Sequence, residues 1–333
     1  MNFVRPRIVA TVILGFVLSA QVSAADLRIA LVTDTAGKND HSFNESAYNG
    51  LLKAQKELGI KGKVIEPPDE DAFEPILRSL AEKNFDLIIS VGFNQLDAIK
   101  SVARRFPDKK FVLIDADPQL PNVRALEFEE QEGSYLVGYL AALHSTTGTL
   151  GFIGGMDIPM IRRFELGYES GAKKANPKIK VLANYVGVTV AAWNDPAKAK
   201  ELALSQISRG ADDIFAPAGN SSLGVFDAVV AQKKLAIGVD SNQDGIRPGR
   251  ILTSMVKSVD VGVFDSIRSL KEGHFTTGVI RYGLKSNGVQ YSLDQFNKPM
   301  LKQSEIDQVE KIKAAIIAGR LVVPDYYTAN VKK

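Results

Sequence analysis

The chain has 333 residues, with 41 Lys and Arg against 38 Asp and Glu and no cysteine. A net charge of +3 without a basic stripe argues against a nucleic-acid partner, and the lack of thiols excludes disulfides, zinc-thiolate sites and a cysteine nucleophile. A length near 300 residues points to two lobes, each with its own core.

Residues 1–24 read as a secretory signal peptide: Arg5 and Arg7 give a positive start, Ile8 to Leu18 is an apolar run, and Val22-Ser23-Ala24 offers a small-residue cleavage site. The run is shorter than the ~18 residues a membrane span requires. Removing the segment leaves 309 residues carrying 39 bases and 38 acids. Without cysteine there is no thiol at a mature N-terminus to carry a lipid. The expectation is therefore a free periplasmic protein that is not a lipoprotein.

Strands and helices then alternate. LRIALVT (27–33) is a short β-rich run, followed by a polar loop and an amphipathic helix. Ser42 with Glu45 three residues on is a capping-box signature, and Ala47, Leu51, Ala54 and Leu58 form a buried stripe. KVIE, a helix through Phe73 to Leu80, DLIISV (86–91), a helix over 94–106 and KFVLID (110–115) continue the pattern. After Thr147 it begins again, with GFIGG (151–155), a helix over 162–174, KVLANYVG (180–187), and a helix opened by Asp195-Pro196 as N-cap and first helical residue. DDIFAPAG, a helix over 223–232 and LAIGVD close the second run. Such alternation predicts parallel sheets covered by helices on both faces. RILTSMVK, a helix over 259–270, GVIRYGLK and a helix near 304–318 remain, enough for a multi-stranded hinge.

The two runs superimpose. Phe43 and Gly50 are seven apart on the first helix of one, and Phe164 and Gly171 are seven apart on the first helix of the other. Gly92 matches Gly219, and Asp115 matches Asp240, each at a strand end. Open α/β sheets bind ligands at the carboxyl ends of their strands. Asp34, Asp115 and Asp240 stand there, able to accept hydrogen bonds from sugar hydroxyls or an amine, or to serve as caps and ion pairs. Phe43 offers a stacking face and Asn44 an amide. Trp193 is either a second aromatic face or a staple on its own helix. Phe215, a further candidate contact, lies within a strand, where a core role is the commoner one, though the loop after it should reach the cleft. Gly219 opens a turn with free backbone N–H groups, and Lys257 is either a ligand contact or a hinge ion pair. No P-loop, HExxH or GxGxxG is present, and 219–223 reads GNSSL rather than a nucleophile elbow. The expectation is no enzyme, no metal and no cofactor.

LVTDTAGKNDHSFNESAYNGL, EEQEGSYLVGYLAAL, GFIGGMDIPMIRRFELGY, NDPAKAKELALSQISRGADDIF, AGNSSLGVFDA and IGVDSNQ resemble the basic membrane protein family of ABC-transporter substrate-binding proteins, also called purine nucleoside receptor A-like. The resemblance covers nearly all of the mature chain. It implies a type I periplasmic-binding-protein fold, two doubly wound parallel-sheet lobes joined by three crossings. One lobe is expected at 25–145 plus about 258–283, the other at 146–257 plus about 284–333. It also implies a purine nucleoside ligand, with Asp34, Phe43 and Asn44 at the base, Asp115 as an acidic contact, and Asp240, Lys257 and the Gly219 backbone at the ribose. Two segments depart from the usual pattern: VGVTVAAWNDP is longer and carries Trp193, and PAGNSS replaces a more Gly-rich run. The expected partners are an inner-membrane permease and its ATPase, with the receptor a monomer. A receptor feeding a signalling protein and an exported nucleoside hydrolase are the alternatives.

Overall fold

The computed structural model describes residues 27–329; the signal-peptide segment lies outside the described residues. The first run builds β1 (Arg28–Val32), α1 (Phe43–Leu58), β2 (Lys61–Ile65), α2 (Phe73–Glu82), β3 (Leu87–Val91), α3 (Leu96–Arg105), β4 (Phe111–Ile114) and β5 (Val123–Phe128). Every residue of β3 and β4 is buried. That is why these strands read as unbroken apolar runs rather than alternating ones: helices cover both faces of the sheet.

The chain then forms α4 (Glu130–His144), β6 (Thr149–Met156), α5 (Pro159–Ala175), β7 (Lys180–Gly187), α6 (Pro196–Ser208), β8 (Asp213–Phe215), α7 (Ser222–Gln232), β9 (Leu235–Asp240) and β10 (Ile251–Lys257). The end of the chain supplies α8 (Val259–Lys271), β11 (Gly278–Tyr282), β12 (Val289–Tyr291) and α9 (Gln303–Ile317). The first sheet has the order β11-β5-β4-β3-β1-β2 and the second β12-β10-β9-β8-β6-β7. All pairings are parallel except β10 with β12. The chain passes between the lobes after Phe128, after Lys257 and after Tyr282. Helix α4, expected with the first lobe, packs instead on α5, β10, β12 and α9 of the second. Among the described residues no helix is long and apolar enough to cross a membrane.

The paired glycines have a common physical cause. Helix α1 packs on α8 at Gly50, where a Cβ would stand 2.5 Å from the Asp260 carbonyl oxygen. Helix α5 packs on α4 at Gly171, where a Cβ would stand 2.0 Å from the Tyr135 carbonyl oxygen. Each helix is held so close to its neighbour that only hydrogen fits. Because the obstacle is backbone, Gly171→Val is expected to cost at least the 1–3 kcal/mol typical of overpacking. Urea unfolding followed by circular dichroism reads this directly, and an unchanged midpoint would mean that α4 and α5 separate freely.

Candidate functional site

The carboxyl ends of the two sheets face each other across a cavity with about 630 Å³ of atom-free space, part of it open to solvent. Asp34, Phe43 and Asp115 line it from the first lobe, and Trp193, Gly219, Asp240 and Lys257 from the second. Asp115 and Asp240 both take left-handed backbone, φ 70° and 63°, so the two strand ends turn in the same way.

The loop after β1 is rigid for a traceable reason. Asp40, not Ser42, caps α1: its carboxylate accepts from the backbone N–H groups of Ser42, Asn44 and Glu45 at 2.9–3.0 Å. The expected capping box therefore does not form, and the Ser42 hydroxyl is freed to donate to Asp240 Oδ2 at 2.5 Å across the cleft. Ser241 Oγ donates to the Ser42 carbonyl at 3.1 Å, and Gln243 Nε2 to that of His41 at 2.8 Å. These bonds latch the lobes on one side of the cavity.

Asn44 does not line the cavity, which corrects its assignment as a ligand contact. Both amide N–H groups are engaged: Nδ2 donates to Asp34 Oδ1 and Asp40 Oδ2, and Oδ1 accepts from the Asp34 backbone. It positions Asp34 instead. Phe215 is also corrected. It is fully buried among Tyr168, Phe152 and Phe164, with centroids 5.2, 5.9 and 6.3 Å away. Strand alternation turns it toward α5, and Pro217 and Gly219 reach the cavity in its place.

The Trp193 ring packs against Gly155, where a Cβ would come within 2.2 Å of it. Its loop is tied down by Ser221, whose hydroxyl donates to the Ala192 carbonyl and accepts from the Asp195 backbone. The GNSS turn thus anchors the Trp193 loop. Asp195 caps α6 through Lys198 N, as its position before Pro196 implies.

Lys257 sits at the centre, fully buried. Its ammonium lies 2.7 Å from Asp115 and 3.0 Å from Glu130. It also stands 5.1 Å from the centroids of Phe43 and Phe128 and 5.9 Å from that of Phe164, within cation–π range. Burial opposes its charge, but Asp115, Glu130 and Asp240 together hold it protonated above its ordinary range. These attractions do not overcome burial at the acids themselves. Burial lifts Asp115 to about 6 against the pull of Lys257, and Asp240 to about 7 against Lys257 and Ser42. Burial likewise lifts Asp34 to about 6. Asp115 Oδ1 has no hydrogen-bond partner among the described residues. Among those residues no three His, Asp or Glu side chains cluster to hold a metal.

Phe164, Gly92 and Asp40 also line the cavity and were not expected there. The first two were signalled by the duplication, since they are the counterparts of Phe43 and Gly219.

Comparison with known proteins adds the family. The model for ABC transporter substrate-binding proteins, PnrA-like, matches residues 28–326. An ABC transporter nucleoside-binding protein of Lactococcus lactis subsp. cremoris is 34% identical over 90% of this chain and 89% of its own. An uncharacterized lipoprotein of Pyrococcus horikoshii is 36% identical over 80% of this chain and 68% of its own. The crystal structure of a solute-binding protein of an Aeropyrum pernix ABC transporter superimposes with a TM-score of 0.82 at 28% identity, covering 91% of this chain and 96% of that one. The fold is thus that of the periplasmic binding proteins with two parallel-sheet lobes. The localisation expectation is corrected by these relatives. The Pyrococcus horikoshii protein and its counterparts in P. abyssi and P. furiosus are named lipoproteins, so a missing cysteine was no ground for setting this chain apart as a free, lipid-less protein.

Proposed function

The chain belongs to the PnrA-like family of ABC transporter substrate-binding proteins, and on that premise we propose that it captures a purine nucleoside or a related ring compound by lobe closure and presents it to an ABC permease and its ATPase. The observation that carries this reading is the meeting, in one interlobe cavity, of an aromatic face from each lobe with the carboxylates of Asp34, Asp115 and Asp240. Phe43 and Trp193 supply flat faces for a ring. Asp240 and Asp115 supply acceptors for vicinal hydroxyls, and Asp115 Oδ1 is the acceptor still lacking a donor. Asp34, held by Asn44, takes an N–H of the base. An acceptor-rich cavity selects a donor-rich solute, because a buried acceptor left unpaired costs about 1–3 kcal/mol. We place the lobe limits at the crossings after Phe128, Lys257 and Tyr282, which assigns α4 to the second lobe.

Mass spectrometry of the small molecule released on denaturing the purified protein is expected to identify a nucleoside. In a thermal-shift panel, inosine at 100 times its dissociation constant adds about 2.7 kcal/mol. No stabilisation by any nucleoside, with a different solute released, would replace the ligand class. Turnover of inosine by the purified protein would replace the receptor reading.

A further inference from the structure

The charged chain that ends at Lys257 begins outside the cavity. Glu130, whose Oε1 meets Lys257, gives its other oxygen to Arg163 Nη1 at 2.7 Å. The same Nη1 donates to the Phe128 carbonyl at the first crossing, 2.7 Å away. Arg163 Nη2 reaches Glu129 at 3.1 Å. On its far side the guanidinium is held bidentately by Asp325, Nε to Oδ1 at 2.8 Å and Nη2 to Oδ2 at 3.1 Å. The Tyr327 ring lies 4.8 Å from it. Asp325 and Tyr327 belong to the C-terminal segment after α9, which does not line the ligand cavity; Asp325 lines a separate surface groove.

We propose that this C-terminal segment is a strap that positions the binding groups: Asp325 and Tyr327 aim Arg163, Arg163 fixes Glu130, and Glu130 sets Lys257 against Asp115, so that ligand affinity depends on a segment the ligand never touches. Arg163 and Asp325 are positioning residues. A bidentate guanidinium–carboxylate pair is both strong and geometrically specific, and this one lies on a buried Arg whose side chain is 8% exposed. The groups facing Lys257 are Asp115 from the end of β4, Glu130 from α4 and Asp240 from the end of β9. Those facing Arg163 are Glu129, Glu130 and Asp325, with Glu132 and Tyr327 within electrostatic reach. Asp40 acts on Asp240. Within this set Arg163 draws Asp115 toward its ionised form, and Asp325 offsets Arg163.

The inference rests on the proposed ligand reading only for its affinity readout. In the full-length protein, Asp325→Asn is expected to weaken inosine roughly tenfold at pH 7 by calorimetry, with Asp325→Glu restoring most of it. Binding fails at low pH as the cleft carboxylates take protons. Asp325→Asn removes an anion, so this acid limb moves to lower pH; Arg163→Gln removes a cation, so it moves to higher pH. A merely structural strap would weaken binding in both variants without moving the limbs in opposite directions, and that result would overturn the proposal. So would wild-type affinity and limb in Asp325→Asn, which alone suffices if Arg163→Gln does not fold. Should the wild-type protein bind no inosine, the ligand reading fails by itself. The fluorescence of Trp193, the one tryptophan of the chain, titrated against pH without ligand, then carries the test, with opposite displacements expected and coincident curves overturning it.

Discussion

Lys257→Met is expected to destabilise the protein by about 3–5 kcal/mol at pH 8, the usual cost of removing one partner of a buried ion pair. The methionine fits the aromatic sleeve of Phe43, Phe128 and Phe164, so lost packing is a small part of the effect. The damage is electrostatic. Glu130 keeps Arg163 and Asp240 loses an attracting charge, but Asp115, whose side chain is 4% exposed, loses its ion-pair partner and keeps only the coulombic pull of Arg163. Asp115 then holds a proton in the folded state to a higher pH than the value near 6 it already has. An acid whose folded pKa is raised contributes stability fully below its unfolded pKa, and that stability is lost as pH rises through the folded value. The variant should therefore be close to wild type near pH 4 and fall progressively behind toward pH 8. Lys257→Met with Asp115→Leu should recover the part of the loss that belongs to Asp115, since a buried pair replaced by apolar groups is often neutral, leaving the part due to Asp240. Urea unfolding at several pH values decides it: equal stabilities at pH 8 would show that water, not Lys257, solvates Asp115.

The alternation of strands and helices was legible because parallel sheets covered on both faces leave continuous apolar runs. The duplication was legible because geometry repeats: two helices must approach another backbone, at Gly50 and Gly171, and two strands must end in an aspartate that turns sharply, at Asp115 and Asp240. Following that logic one step further would have found Phe164, the counterpart of Phe43, in the cavity wall. Phe215 misled because a three-residue strand gives no phase: nothing in DIF says which side faces α5. Ser42 misled because a capping signature is local, while the hydroxyl's actual partner lies 198 positions away. The same holds for Glu130 and Arg163, whose significance depends on a crossing and a C-terminal segment meeting in space.

Two observations join closure to binding. The latch between residues 41–42 and 240–243 and the buried ion cluster lie at different parts of one cavity, and Asp240 belongs to both. A solute that donates to Asp240 therefore enters at the point where the lobes already touch, and its donors add to the Ser42 bond that holds them shut.

Asp240→Asn separates those roles. The asparagine keeps an oxygen to accept from Ser42, so the latch survives, but the charge is gone and one acceptor becomes a donor. Affinity for a nucleoside is expected to fall by one to two factors of ten, about 1.4 kcal/mol each, because hydrogen bonds to charged groups contribute about 1.5–3 kcal/mol. The pH dependence gives the finer test. Burial holds Asp240 near 7 in the free protein, against 3.8 for the ordinary group. Its contribution to stability is thus fully present below about pH 4 and is lost as pH rises through 7, where the unliganded cleft must carry the charge. Hydroxyl donors favour that charge, so ligand binding lowers the pKa, and affinity climbs as pH rises through the same window. Wild-type binding measured by calorimetry from pH 5 to 8.5 should show this climb up to about 7, with a lower component near 6 from Asp34 and Asp115. In Asp240→Asn the upper component should vanish and the lower one remain. A variant that keeps the whole profile would show that the solute's donors go to other acceptors and that Asp240 serves the latch alone.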